Sequence, residues 1–191
     1  MDAIATYLNF VDLLMVIMIV AIARAGARKG VIAEIFSLLG IACVTFVALH
    51  YCVRFAQTLR VLFFGENAST EFLAFNTLSI LVFVTFVLIN KGWVLILKIK
   101  FPEKIDRYGG IGLSLARSYF TCGLIFFALL LSNHKYITPA ARQAVSRHVF
   151  RYVAVDIYKS MHSNLIEPFF PNEKFSEEAC HLVVKKKKKR K

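Results

Sequence analysis

Charge is scarce in this chain of 191 residues. Asp, Glu, Lys and Arg together make up 19% of it, against about 25% in ordinary soluble domains. Paired cysteines are also missing. The four cysteines, Cys43, Cys52, Cys122 and Cys180, form no CxxC pair, and none has a His at metal spacing. That excludes a disulfide scaffold and a zinc module, and no metal or cofactor is expected. Catalytic signatures are absent as well. The five histidines form no HExxH or HxH, and no GxSxG, P-loop or GxGxxG occurs. No enzymatic activity is therefore expected.

What fills the chain is apolar. Hydrophobic residues reach 58%, with 18 Phe, and the mean hydropathy is +0.60. A soluble domain of this size buries only about 70% of the surface its unfolded chain exposes. So much apolar surface needs a bilayer instead. A membrane span takes about 20 mostly apolar residues, and four segments qualify: 7–23, 31–53, 72–94 and 110–131. They do not alternate apolar with polar residues as β-barrel strands do. The reading is an all-α membrane protein. Four transmembrane helices (residues 1–133) precede a basic, partly helical region (134–184) and a polybasic tail (185–191).

Orientation follows from Lys and Arg in the short loops. The first loop, 24–30, holds three basic residues and the third, 95–109, holds four, whereas the second, 54–71, holds two. Loops one and three are expected in the cytoplasm and both termini outside. Positive residues follow the first span rather than precede it, which suits an uncleaved anchor better than a signal peptide.

The last seven residues, Lys185 to Lys191, are all basic and supply more than half of the net charge of +12. Next to a membrane body, such a tail is expected to rest on anionic lipid headgroups rather than on nucleic acid. Residues 140–161 can form one basic amphipathic helix. Val145, Val149, Val153, Ile157 and Met161 step every four residues, with Arg147 and Arg151 roughly opposite. It suits a membrane surface, or packing on the bundle or on a partner.

Ionisable groups within spans are functional candidates. Asp12 lies near the start of span one. Glu34 lies about 5 Å into span two, and Arg117 about 10 Å into span four, at 1.5 Å rise per residue. Both spans start on the same side, so Glu34 and Arg117 share a depth, with Arg28, Lys29, Asp106 and Arg107 just below. A pair there could fix helix packing, or serve a headgroup, an ion or a partner. Gly26 and Gly30 form a GxxxG, and Gly109, Gly110 and Gly112 cluster at the start of span four, as in close helix contacts.

Two blocks carry a family resemblance. Phe10-Val11-Asp12 opens a span, and Arg28-Lys29-Gly30-Val31-Ile32-Ala33-Glu34-Ile35-Phe36-Ser37-Leu38-Leu39-Gly40 follows it. Later come Ile105-Asp106-Arg107-Tyr108-Gly109-Gly110 and Arg117. The pattern resembles the colicin V production protein (CvpA) family over about residues 7–131. Ser118 departs from it, standing where the family usually has Gly, and so does the lysine tail. The resemblance implies a bacterial inner-membrane protein with four spans. Its implied role is in toxin production or export, or in envelope maintenance, through membrane or periplasmic partners. Fusions of family members to periplasmic protease domains imply an outer C-terminus. The site residues it implies are Asp12, Arg28, Gly30, Glu34, Asp106, Arg107, Gly109 and Arg117, as one cluster at the cytoplasmic side. A different reading of the same residues is a small homo-oligomeric transporter or channel built on Glu34 and Arg117. A membrane scaffold for a protease or export complex is a third.

Overall fold

The computed structural model describes residues 9–26, 30–61, 70–96, 103–132, 135–169 and 176. The lysine tail lies outside them. Every regular element among the described residues is helical. Four long helices come first: α1 (Phe10–Gly26), α2 (Val31–Leu59), α3 (Thr70–Ile96) and α4 (Glu103–Leu131). They run a few residues past the apolar segments read from the sequence. Backbone hydrogen bonding continues into the polar ends, where side chains such as Arg54 and Gln57 are tolerated. Three of them are long and apolar enough to cross a membrane: α2 over its whole length, α3 over Thr70–Gly92 and α4 over Tyr108–Leu131. The 17 residues of α1 rise about 25 Å.

α2 and α3 form an antiparallel hairpin. At its open end Asn90 Nδ2 donates to Ser37 Oγ at 3.2 Å, and at its closed end Arg60 pairs with Glu71 at 3.1 Å. α4 is the central element. It runs antiparallel to α1, with Cys122 Sγ near Met15 O and Ser114 Oγ near Ala23 O. Its other side joins α2 and α3, where Phe127 packs on Phe75 with ring centroids 5.2 Å apart. The outer face of α3 is left uncovered, with Ile80, Leu81 and Leu88 each more than 60% exposed. Phe10, Leu13, Val16, Ile17 and Val20 are likewise exposed on α1.

The C-terminal region corrects the expectation of one helix over 140–161. It forms three short helices, α5 (Ile137–Gln143), α6 (Arg147–Phe150) and α7 (Val153–Met161). A π-helical turn (His162–Ile166) and the three-residue α8 (Glu167–Phe169) follow. The chain breaks at Ala144, whose backbone is extended at ψ 143°. The cause is tertiary. The N–H groups of Val145 and Ser146 donate to the Asp12 carboxylate, at 3.1 and 2.7 Å, instead of to carbonyls four residues back. The register of burial changes accordingly. Val145 and Val149 point outward, while Phe150, Val153, Ala154, Val155 and Tyr158 are buried against α1, α2 and α4.

Candidate functional site

A polar junction lies where α1 ends, α2 begins and α4 passes. Four glycines make it possible. Gly110 brings α4 within ordinary contact of the Gly26 carbonyl and the Gly30 backbone, 3.6 Å from where its side chain would begin. A methyl on Gly26 would overlap Ser114 Cβ and come within 3.0 Å of Glu34 Oε1. Gly30 adopts φ +80°, a conformation that favours glycine, and a Cβ there would lie 2.7 Å from the Asp106 carboxylate. Gly109 faces Val31. Small residues thus let three backbones meet where side chains would hold them apart.

Two carboxylates fill the junction. Asp106, on the first turns of α4, accepts a hydrogen bond from the Val31 N–H at 2.8 Å. It caps α2 from a different helix and places negative charge at the positive end of the α2 dipole. One turn further in, Glu34 is fully buried and lies 3.1 Å from Arg117 Nε, whose side chain is 14% exposed. The Nε–H does not point along a hydrogen-bond direction, so attraction between charges dominates this contact. Ser114 Oγ, beside the pair, donates to Ile111 O at 2.8 Å. The polar seam continues through Ser37 to Asn90 of α3, whose buried Oδ1 has no hydrogen-bond donor among the described residues. Ser37 and Asn90 were not among the residues read as a site. Their signal in the sequence is small, since Ser37 lies one turn beyond Glu34 and Asn90 ends an uncharged run.

Of the sequence candidates, Gly30, Glu34, Asp106, Gly109 and Arg117 come together here. Asp12 does not. It sits 14 residues before Gly26 on α1, about 21 Å along the axis. There its carboxylate binds the backbone N–H groups of Val145 and Ser146 and the Ser146 hydroxyl. Asn9 alongside donates to the Ala140 carbonyl. Arg28 and the side chain of Arg107 lie outside the described residues. Among the described residues no group of three or more His, Cys, Asp or Glu could hold a metal ion.

A second buried polar contact ties the C-terminal region to the bundle. The ring of His50 on α2 stacks on Phe46, and its Nδ1 lies 3.0 Å from the Tyr158 hydroxyl of α7. The Ser176 N–H donates to that hydroxyl at 3.0 Å. His50 and Tyr158 are 108 residues apart, and no local pattern joins them.

The arrangement has the chemistry of a helix junction. Buried charges are neutralised, a helix N-terminus is capped, and backbones approach closely. A family model described as colicin V production protein matches residues 11–155, from the start of α1 into α7. Comparison with curated proteins and with solved structures finds no match. On the strength of that match over the helical bundle, the chain belongs to the colicin V production protein family.

Proposed function

We propose that this chain is a four-span inner-membrane protein with both termini on the outer side. In this reading it supports production or export of a colicin V-type toxin, or maintenance of the envelope, by engaging partner proteins rather than by catalysis. The observation that carries the reading is the family match over residues 11–155. The apolar exposed face of α1 supports a fourth span, since it offers lipid the same kind of surface as α3. The Lys and Arg excess in the first and third loops supports the orientation. It puts the Glu34–Arg117 junction at the cytoplasmic side and α5–α7 at the outer side.

The packing at Gly26, Gly30 and Gly110 favours a structural role for Glu34 and Arg117 over a transporter's binding site, because close backbone contact occupies the space beside them. Deletion of the protein in its host, with and without a plasmid copy, tests the function. Loss of toxin export or of resistance to envelope-damaging agents, restored by the plasmid, is expected. Unchanged export and resistance would contradict the reading, as would intrinsic hydrolase activity of the purified protein.

A further inference from the structure

The helices after α4 carry apolar residues on two faces. The inner face packs on the bundle, where Phe150, Val153, Ala154 and Tyr158 are buried. The outer face holds Val145, Val149 and Tyr152, each at least half exposed. Hydrogen bonds from His148 to Val145 and from Arg151 to Arg147 keep this stretch coiled. A spacing of four and then three therefore sets the three side chains on one side. Cations stand among them. Arg142 and His148 are exposed, and Arg147 and Arg151 are half-buried. Arg151 lies over the Tyr152 ring, 5.0 Å from its centroid. Among the described residues no carboxylate pairs with any of these three arginines. From Lys135 to Met161 the chain holds five Lys or Arg and one Asp. The Asp12 carboxylate at the turn is bound to Val145 and Ser146, and counting it leaves the surface basic.

The level of this surface follows from α1. Its length of about 25 Å barely matches a hydrocarbon core of about 30 Å. A crossing α1 uses all of that length, so its first turn lies at the bilayer boundary. Asp12 belongs to that turn and holds the backbone of Val145 and Ser146. The turn between α5 and α6 is thereby fixed at the boundary. α6 reaches deeper. Met15 O meets Cys122 Sγ, which puts Asp12 level with Ile125 on antiparallel α4. Phe150 packs on Tyr119 with ring centroids 5.5 Å apart, and Tyr119 Oη donates to the Val149 carbonyl at 3.4 Å. Tyr119 lies six residues before Ile125, about 9 Å further in. Helices that lie in a membrane interface bury their apolar side about 5–10 Å into it. The end of α4 agrees. Phe126, Phe127, Leu130 and Leu131 are buried beneath the C-terminal helices, whereas Ile80, Leu81 and Leu88 of α3 are exposed.

We propose that α5–α7 form an interfacial shelf in the leaflet at the Asp12 end of the bundle, with Val145, Val149 and Tyr152 among the acyl chains and Arg142, Arg147 and Arg151 on the phosphates of anionic phospholipids. This rests on the reading of α1 as a span. Each arginine serves a separate headgroup, so the three have no need to converge. Long arginine stems carry the guanidinium up to the phosphates while the apolar residues beside them stay in hydrocarbon. The outward row also continues the exposed side of α1, where Phe10 and Leu13 flank Asp12. Each basic group near an anionic surface strengthens attachment about fivefold.

Tryptophan quenching in lipid vesicles tests it on the full-length protein, with its one tryptophan, Trp93, changed to Phe. The probes are Val149→Trp on the shelf and Ile17→Trp on the exposed side of α1, with Tyr152→Trp as a second shelf position if Val149→Trp does not accumulate. In phosphatidylcholine brominated on its acyl chains, the shelf indole should be quenched within about twofold of the Ile17→Trp indole, and iodide in the water should quench it little. In unlabelled phosphatidylcholine with about one lipid in ten brominated, brominated phosphatidylglycerol should quench the shelf indole at least about twofold more than brominated phosphatidylcholine. Arg142→Gln, Arg147→Gln and Arg151→Gln together should bring the two lipids level and leave quenching in fully brominated phosphatidylcholine unchanged. A shelf indole that bromine does not reach would overturn the shelf. Quenching by iodide would then mean that this face stands in water, and protection from both quenchers that a protein or a second copy covers it. Equal quenching by the two lipids, or a phosphatidylglycerol preference that survives loss of the arginines, would overturn the phosphate contacts. If the Ile17→Trp indole escapes bromine as well, the reading of α1 as a span fails and the shelf fails with it.

Discussion

Glu34 and Arg117 show what a charge inside this fold is for. Glu34 is fully buried, so its carboxylate has exchanged water for a guanidinium 3.1 Å away. Removing the Glu34 carboxylate takes from Arg117 the counter-charge it has among the described residues, at a cost of about 3–5 kcal/mol. Glu34→Gln should therefore lower the unfolding temperature in detergent markedly. Glu34→Leu combined with Arg117→Met should recover most of that loss, because an apolar pair needs no compensation. A double variant no more stable than Glu34→Gln would contradict a packing role. Gly26 makes a second prediction at this scale. Gly26→Ala drives its methyl into Ser114 Cβ and should destabilise by about 1–3 kcal/mol. Ser114→Gly in the same chain should restore most of it, as read by thermal melts of the three variants. The pairing is legible in the sequence, because two apolar helices starting on one side put residues 34 and 117 at one depth. The Asp106 cap was not, since its partner is a backbone N–H 75 residues away.

Among the elements, the four long helices were readable because a long apolar run forms a helix that satisfies every backbone group within its own segment. Their ends ran longer than the apolar runs, since hydrogen bonding does not stop where hydrophobicity does. The region after α4 obeys no such rule. The fourfold spacing from Val145 to Met161 is a real helical pattern, but Asp12 takes the Val145 and Ser146 N–H groups and breaks it. Asp12→Ala should free those donors and loosen the α5–α7 layer by about 1–3 kcal/mol. Hydrogen exchange should speed up across residues 137–161 and leave α2 and α3 unchanged; equal speeding throughout would contradict it. Tyr158→Phe keeps the ring but loses the hydroxyl contacts to His50 and to Ser176. It should raise exchange in α7 by a smaller amount than Asp12→Ala does in α6.

The whole molecule is organised by its two ends. One holds the glycine-lined junction of α1, α2 and α4. The other holds the Asp12 contact, the His50–Tyr158 contact and the turn of α5–α6. The family blocks in the sequence span both ends, and reading them as one cluster merged two places about 21 Å apart along α1. Neighbours in a motif need not be neighbours in space when a helix runs between them. Which end faces the cytoplasm decides how each is used. Paired alkaline-phosphatase and fluorescent-protein fusions after Asn133 and after Lys191 measure this directly. Phosphatase activity at both positions, with no fluorescence, is the result predicted for four spans with the C-terminal region outside. Fluorescence at both positions would place the lysine tail and the arginine turn in the cytoplasm and contradict the orientation.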